Sequence, residues 1–226
     1  MIDATDVVVT LLTGRRPTLL AATLDGLRFH APGLLESAHV IVLHNGDDGT
    51  DDQTITALEL VGEHVDRRLR GDDLLPVGPA TSRLAAHVPR AGRPYWLHLE
   101  DDWRATGRHA GWLDQARALL EAEPNLAQVR LRRSDERVLA RHMVTNEPLR
   151  WADHGRYHRT PDAHWTNNPA LVRAEDAPLA WPADGERAAQ RRWHRSGRHA
   201  AVQLVPGEFA HLGEGASLWR AVGSKP

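Results

Sequence analysis

Tyr95-Trp96-Leu97-His98-Leu99-Glu100-Asp101-Asp102-Trp103 runs a buried-strand pattern straight into three consecutive carboxylates. Like charges crowded at the end of an apolar strand raise one another's pKa and resist full ionisation unless a cation or a set of donors neutralises them. Something cationic is therefore expected there. Oxygen-rich clusters of this kind suit a hard divalent ion, Mg²⁺ or Mn²⁺, held by one or two carboxylates and completed by phosphate oxygens. A solvated acidic turn would present the same triplet, so the surrounding chain has to decide.

Upstream, Asp6-Val7-Val8-Val9-Thr10-Leu11-Leu12 is a continuous apolar, β-branched run. It is followed by Thr13-Gly14-Arg15-Arg16-Pro17 and then by Leu19, Leu20, Thr23, Leu24 and Leu27 at helical spacing. Pro17 suits a first helical turn, where its missing N–H has no partner to lose. His39 to His44 is a second buried run, broken by the Asn/Asp/Gly-rich stretch 45–52. Strand, helix, strand implies a parallel pair with a right-handed crossover. The acidic strand end then lies at the carboxyl edge of a parallel sheet, where open α/β folds place ligands.

The pattern further predicts a helix from Asp52 to about Val65 and a loop at Gly78-Pro79 opening into another helix. It predicts a helix over Gly111–Glu121, a strand over Ala127–Arg132 and a long loop over Trp151–Asn168. A strand over Pro169–Arg173, a helix over Gly185–Gly197, a strand over Ala200–Val205 and a Gly-rich tail from Phe209 to Ser217 complete it.

At 226 residues one α/β domain is expected. Charged residues make up 26% and the net charge is −2, so no basic field points to nucleic acid. No apolar run is long enough to span a bilayer and the start lacks a signal-peptide pattern, which leads to the expectation of a cytoplasmic protein. The absence of cysteine excludes disulfides, thiolate zinc sites and cysteine nucleophiles. Eight Trp against two Phe and two Tyr is unusual. Trp103, Trp151, Trp165 and Trp181 stand beside polar residues and could fill core or line a cleft.

Four segments, VVVTLLTGRRPTLLAATLDGL, VIVLHNGDDGTDDQ, YWLHLEDDW and FAHLGEGAS, resemble in order and spacing the nucleotide-sugar glycosyltransferases of the GT-A fold, family 2-like, from Val7 to Ser217. The resemblance implies a Rossmann-like, mixed but mainly parallel sheet flanked by helices in a single domain. Residues 1–105 would form its nucleotide-binding half and 106–226 its acceptor half. It implies a nucleotide-diphosphate sugar donor, an acceptor not named by the sequence, and Mn²⁺ or Mg²⁺ as cofactor.

The family's DxD motif maps onto Glu100-Asp101-Asp102, with Glu in the first place. Asp102 is the implied metal ligand, Glu100 or Asp101 touching ribose or water, and His211 of the late segment is implied to return and share the ion. A neutral imidazole suits Mn²⁺ better than Ca²⁺. Asn45 stands where the family often has an Asp on the base; its amide could read a base edge or simply serve a turn. Thr10, Leu11 and Thr13, with Arg15 and Arg16, would cup the nucleotide, though Arg16 also fits a solvated helix start. Gly78, Ser82 and Arg83 would pack beside the donor at a helix start.

Inverting transfer needs a carboxylate to take the acceptor hydroxyl's proton. Glu186 stands where the family's base falls, with Asp184 as fallback; a carboxylate in a first helical turn also complements the dipole. A sugar-1-phosphate nucleotidyltransferase is the alternative, but Thr13-Gly14-Arg15-Arg16 is short for its phosphate loop. A non-catalytic carbohydrate-binding relative is the third reading.

Overall fold

The computed structural model describes residues 1–14, 16–45, 75–133, 150–161, 168–177, 186–198 and 200–212. The chain opens with β1 (Val7–Thr13), α1 (Pro17–His30), a short α2 (Leu34–Ser37) and β2 (His39–His44). Every residue of β1 is buried, as its unbroken apolar run requires. Pro17 opens α1, and Leu20, Leu24 and Leu27 form its buried stripe. Gly26 lets α1 lie close on the chain at 104–105: a Cβ there would collide with Arg104 Cγ.

After α3 (Val77–Ala85) come β3 (Tyr95–Glu100), β4 (Trp103–Ala105), α4 (Trp112–Ala122) and β5 (Leu126–Arg130). The chain continues through β6 (Ala152–Asp153), β7 (Tyr157–Thr160), β8 (Ala170–Arg173), α5 (Glu186–Arg195), β9 (Ala200–Leu204) and β10 (Phe209–His211). Among the described residues eight strands form one sheet in the order β2-β1-β3-β8-β5-β9-β7-β6. β1 pairs in parallel with both β2 and β3, and β5 with β9; β8 and β7 run against their neighbours. The sheet is thus mixed, with most strands pointing one way, as expected.

One face packs α1, α2 and α4 over Leu11, Leu97, Val129 and Val202. The other packs α3 and α5 over Val8, Ile41, Trp96 and Val172, with Trp193 filling the space under α5. Among the described residues no helix is long and apolar enough to cross a membrane.

Two expectations need correction. The stretch 151–168 is not all loop: β6 and β7 form a hairpin added to the sheet edge through β9, turning at Gly155 with φ 79°. Gly78 and Pro79 belong to α3, which starts at Val77. Proline is harmless in a first turn because the N–H it lacks would have had no helical acceptor. The expected helix at 52–65 lies outside the described residues.

Candidate functional site

The parallel pairing of β1 and β3 brings the ends of both strands together at one edge, and Asp101 N–H donates to Leu12 O at 3.0 Å, locking the acidic turn onto β1. The Asp101 side chain turns inward and is fully buried. Its Oδ2 accepts from Gly14 N–H at 2.9 Å and from the Thr13 hydroxyl at 3.1 Å, while Oδ1 accepts from Arg16 Nη2. Thr23, on α1, donates to Asp101 O at 2.8 Å. The β1–α1 loop is therefore wrapped around one carboxylate. Burial pushes the Asp101 carboxyl above its ordinary value, against the pull of Arg16 and Gly14 N–H.

Asp102 is buried beside it and shares the same guanidinium. Arg16 Nη1 donates to Asp102 Oδ2 at 2.8 Å, and His211 Nε2 lies 3.4 Å from that same oxygen. Asp102 Oδ1 is buried without a hydrogen-bond partner among the described residues. For Arg16, burial disfavours the charge, but Asp101 and Asp102 outweigh it and hold its pKa above the usual arginine value.

His211 arrives from the far end of the chain on β10, which pairs antiparallel with β4 so that His211 faces Trp103. Leu212 N–H donates to Asp102 O at 2.7 Å. The indole of Trp103 lies against the imidazole, at 4.8 Å between centroids, and has the Arg132 guanidinium over its ring at 5.6 Å. Glu208 anchors the approach to β10: fully buried, it accepts from Thr106 N–H at 3.0 Å, Gly107 N–H at 2.5 Å and His109 N–H at 3.2 Å. Gly207, at φ 77°, lets the chain turn there; a Cβ would stand 2.3 Å from Arg132 O.

The other candidates fall into distinct places. Thr10 and Leu11 sit inside the sheet with strands paired on both sides, and the Thr10 hydroxyl is taken up by Trp96 Nε1–H at 2.7 Å and His98 Nδ1 at 2.9 Å. The Asp101 oxygens are likewise bonded within the chain, to Gly14, Thr13 and Arg16. Thr13 is buried and serves Asp101. Asn45 lies at the same sheet edge, but its amide is engaged by Leu75: Nδ2 donates to Leu75 O at 2.7 Å and Oδ1 accepts from Leu75 N–H at 2.8 Å.

Ser82 and Arg83 occupy the C-terminal half of α3, where the helix dipole repels anions, so the expected helix-start role does not apply to them. Glu100 ends β3, in register with Leu12. Arg15 and Asp184 lie outside the described residues, as does the side chain of Glu186, whose backbone opens α5. Of the Trp residues considered for a cleft, Trp103 is core and Trp151 is half-buried beneath Arg130, 5.3 Å from its ring, while Trp165 and Trp181 lie outside the described residues.

The cation demanded by the acidic strand is thus present within the chain as Arg16, which the sequence offers as part of the nucleotide cup or as a solvated helix start but not as the partner of Asp101 and Asp102. Glu208 was missed altogether; a lone Glu between Gly207 and Phe209 carries no local signal. Among the described residues no group of three or more His, Asp or Glu side chains could hold a metal by itself. A resident ion would have Asp102 and His211, and would need ligand or water oxygens to complete it.

No family model and no curated protein matches this chain. Solved structures do. The mannosyltransferase PcManGT from Pyrobaculum calidifontis, in complex with GDP-Man and Mn²⁺, aligns over 97% of this chain and 62% of its own with a TM-score of 0.62 at 15% identity. S. aureus TarS 1–349 in complex with UDP-GlcNAc aligns over 94% of this chain and 62% of its own, TM-score 0.57, at 12% identity. The TarS 1–349 structure in complex with UDP gives 91% and 60%, TM-score 0.56, at 13% identity. The chain spans about 60% of the length of these proteins. They establish a GT-A-like fold.

Proposed function

We propose that this chain is a nucleotide-sugar-dependent glycosyltransferase that binds a nucleoside-diphosphate sugar at the carboxyl edge of β1, β2 and β3 and passes the sugar to an acceptor nucleophile. The observation that carries the reading is the convergence of Arg16 and His211, from distant parts of the chain, on Asp102 Oδ2, with Asp102 Oδ1 buried beside it and without a partner among the described residues. A buried, unpartnered carboxylate oxygen costs free energy unless a ligand completes it. Neighbouring folds that hold GDP-Man with Mn²⁺ and UDP-GlcNAc support the donor class.

The donor set fits a divalent ion: one hard carboxylate and one imidazole suit Mn²⁺, with Mg²⁺ the other candidate, leaving positions for diphosphate oxygens. Bound there, the ion would supply Lewis-acid stabilisation of the departing diphosphate. Asp102 and His211 would hold it, Asp101 would keep Arg16 in place, and Glu186, or Asp184 in its stead, would take the acceptor proton in an inverting transfer.

Differential scanning of the protein with UDP, GDP and TDP, each with and without Mn²⁺, tests this. A diphosphate at about 100 times its Kd stabilises by about 2.7 kcal/mol, a rise in Tm of roughly 5–10 °C for a domain of this size. A rise with one base that requires Mn²⁺ is expected. No response to any diphosphate, with or without metal, would overturn the reading.

A further inference from the structure

We propose that Arg16 is a transferable counter-cation: with no ligand bound it bridges Asp101 and Asp102, and on donor binding it keeps Asp101 and turns Nη1 from Asp102 onto a diphosphate oxygen. This rests on the functional reading above and goes beyond the general nucleotide-cupping or solvated helix-start role that the sequence offers for Arg16, giving it a switch between Asp102 and a diphosphate oxygen.

Four observations lead to it. The guanidinium is split between two carboxylates, Nη2 on Asp101 and Nη1 on Asp102, so either hydrogen bond can break while the other holds. The Asp101 end is fixed, since that carboxylate is fully buried and also held by Gly14 and Thr13. The Asp102 end is contested, since Oδ2 is the oxygen that faces His211 Nε2 at 3.4 Å, and a cation shared by Asp102 and His211 would displace Nη1. Finally, Arg16 Nε–H and Asp102 Oδ1 are both buried without partners among the described residues, so the pair is not optimised as a closed ion pair. A structural lock would be expected to satisfy them.

Charge counting gives the direction. Two carboxylates against one guanidinium leave the site at −1, which attracts a divalent cation; the loaded site is +1, which attracts a diphosphate. Arg16 stands at the N-cap of α1, where no side chain caps the first turn, and a helix start favours anions. Arg16 therefore opposes metal binding alone and favours metal and diphosphate together.

The test is binding, not turnover. Mn²⁺ affinity is measured by electron paramagnetic resonance of free Mn²⁺ without nucleotide, and affinity for UDP or GDP, whichever the wild type binds, by calorimetry in saturating Mn²⁺. Arg16→Gln is expected to tighten Mn²⁺ alone by about tenfold and to weaken the diphosphate by about tenfold or more, the scale of one charge-assisted hydrogen bond gained or lost. Arg16→Lys, which keeps the charge but cannot span both carboxylates, should fall between on both measures and guards against a folding defect in the Gln variant.

If both affinities fall in both variants, Arg16 only holds the site together and the proposal is wrong. If neither moves, Arg16 is a bystander and it is equally wrong. Those failures occur with a wild type that binds diphosphate and leave the functional reading standing; a wild type that binds none removes that reading and this one with it.

Discussion

His211 lies against Trp103 with ring centroids 4.8 Å apart and planes inclined by 51°, although 108 positions of chain separate them. The contact fixes the imidazole in rotation and leaves Nε2 aimed at Asp102. If both residues hold one ion, removing either removes most of the benefit. His211→Ala and Asp102→Asn should each weaken Mn²⁺-dependent diphosphate binding by about tenfold or more, and the double variant should lose less than the sum. Calorimetry on the four proteins reads the coupling; strictly additive losses would exclude a shared ion.

Glu208 decides whether that geometry exists. Its carboxylate receives three backbone N–H groups of the 106–109 loop, and burial raises its pKa against their pull. Glu208→Ala should cost about 2–4 kcal/mol, given about 1.5–3 for a hydrogen bond to a charged group and some replacement by water. Hydrogen exchange should show early loss of protection at Phe209–His211. A variant as protected and as stable as wild type would remove Glu208 from this role.

Much of the architecture was legible because β1, β2 and β3 are continuous apolar runs whose burial on both faces leaves little freedom of assignment, and Pro17 marks the start of α1 within a residue. The β6–β7 hairpin was not, because an edge hairpin with exposed Ala152 and Asp153 shows no burial period to read. The site was half legible. Three carboxylates announce a cation, but nothing local says that it is Arg16, since the pairing is made by strand register between β1 and β3. Likewise β10 is three residues long, and it takes its place from the clasp by Glu208, its ladder with β4 and the bonds of Phe209 to Leu131 and Arg133, all of them distant in sequence or without a local signal.

Asn45 offers a direct choice between clasp and base reader. Its amide donates to and accepts from Leu75, tying the end of β2 to the start of α3. Asn45→Asp retains the acceptor but sets an anionic oxygen against Leu75 O. It should destabilise at least as much as Asn45→Ala, by about 1–3 kcal/mol for the two bonds. An Asp variant of wild-type stability with retained diphosphate affinity would favour base reading.

Glu186 carries the proposed base role from its place at the start of α5. With donor and acceptor known, Glu186→Gln should lower kcat by about two to four orders of magnitude, the usual loss for a general base, with donor affinity little changed. Wild-type turnover would shift the role to Asp184.

His98 predicts how the sheet under the site responds to acid. It is buried on β3, and since the Thr10 hydroxyl accepts from Trp96 Nε1–H, its own proton is free to go to His98 Nδ1. Burial lowers the His98 pKa to about 3, so the ring is neutral when folded. A histidine depressed from 6.5 makes the unfolded chain bind more protons: its contribution is intact above pH 6.5 and is lost as pH falls towards 3. From pH 7 to pH 5 the loss should be about 2 kcal/mol. Asp101 and Glu208, raised by burial, shift stability the other way as pH falls and do so with or without His98. The difference between wild type and His98→Asn in urea titrations at the two pH values isolates the imidazole. The variant, less stable at pH 7, should lose about 2 kcal/mol less than wild type on going to pH 5. Parallel losses would mean that the ring is already solvated, and that β1 and β3 are looser than their pairing implies.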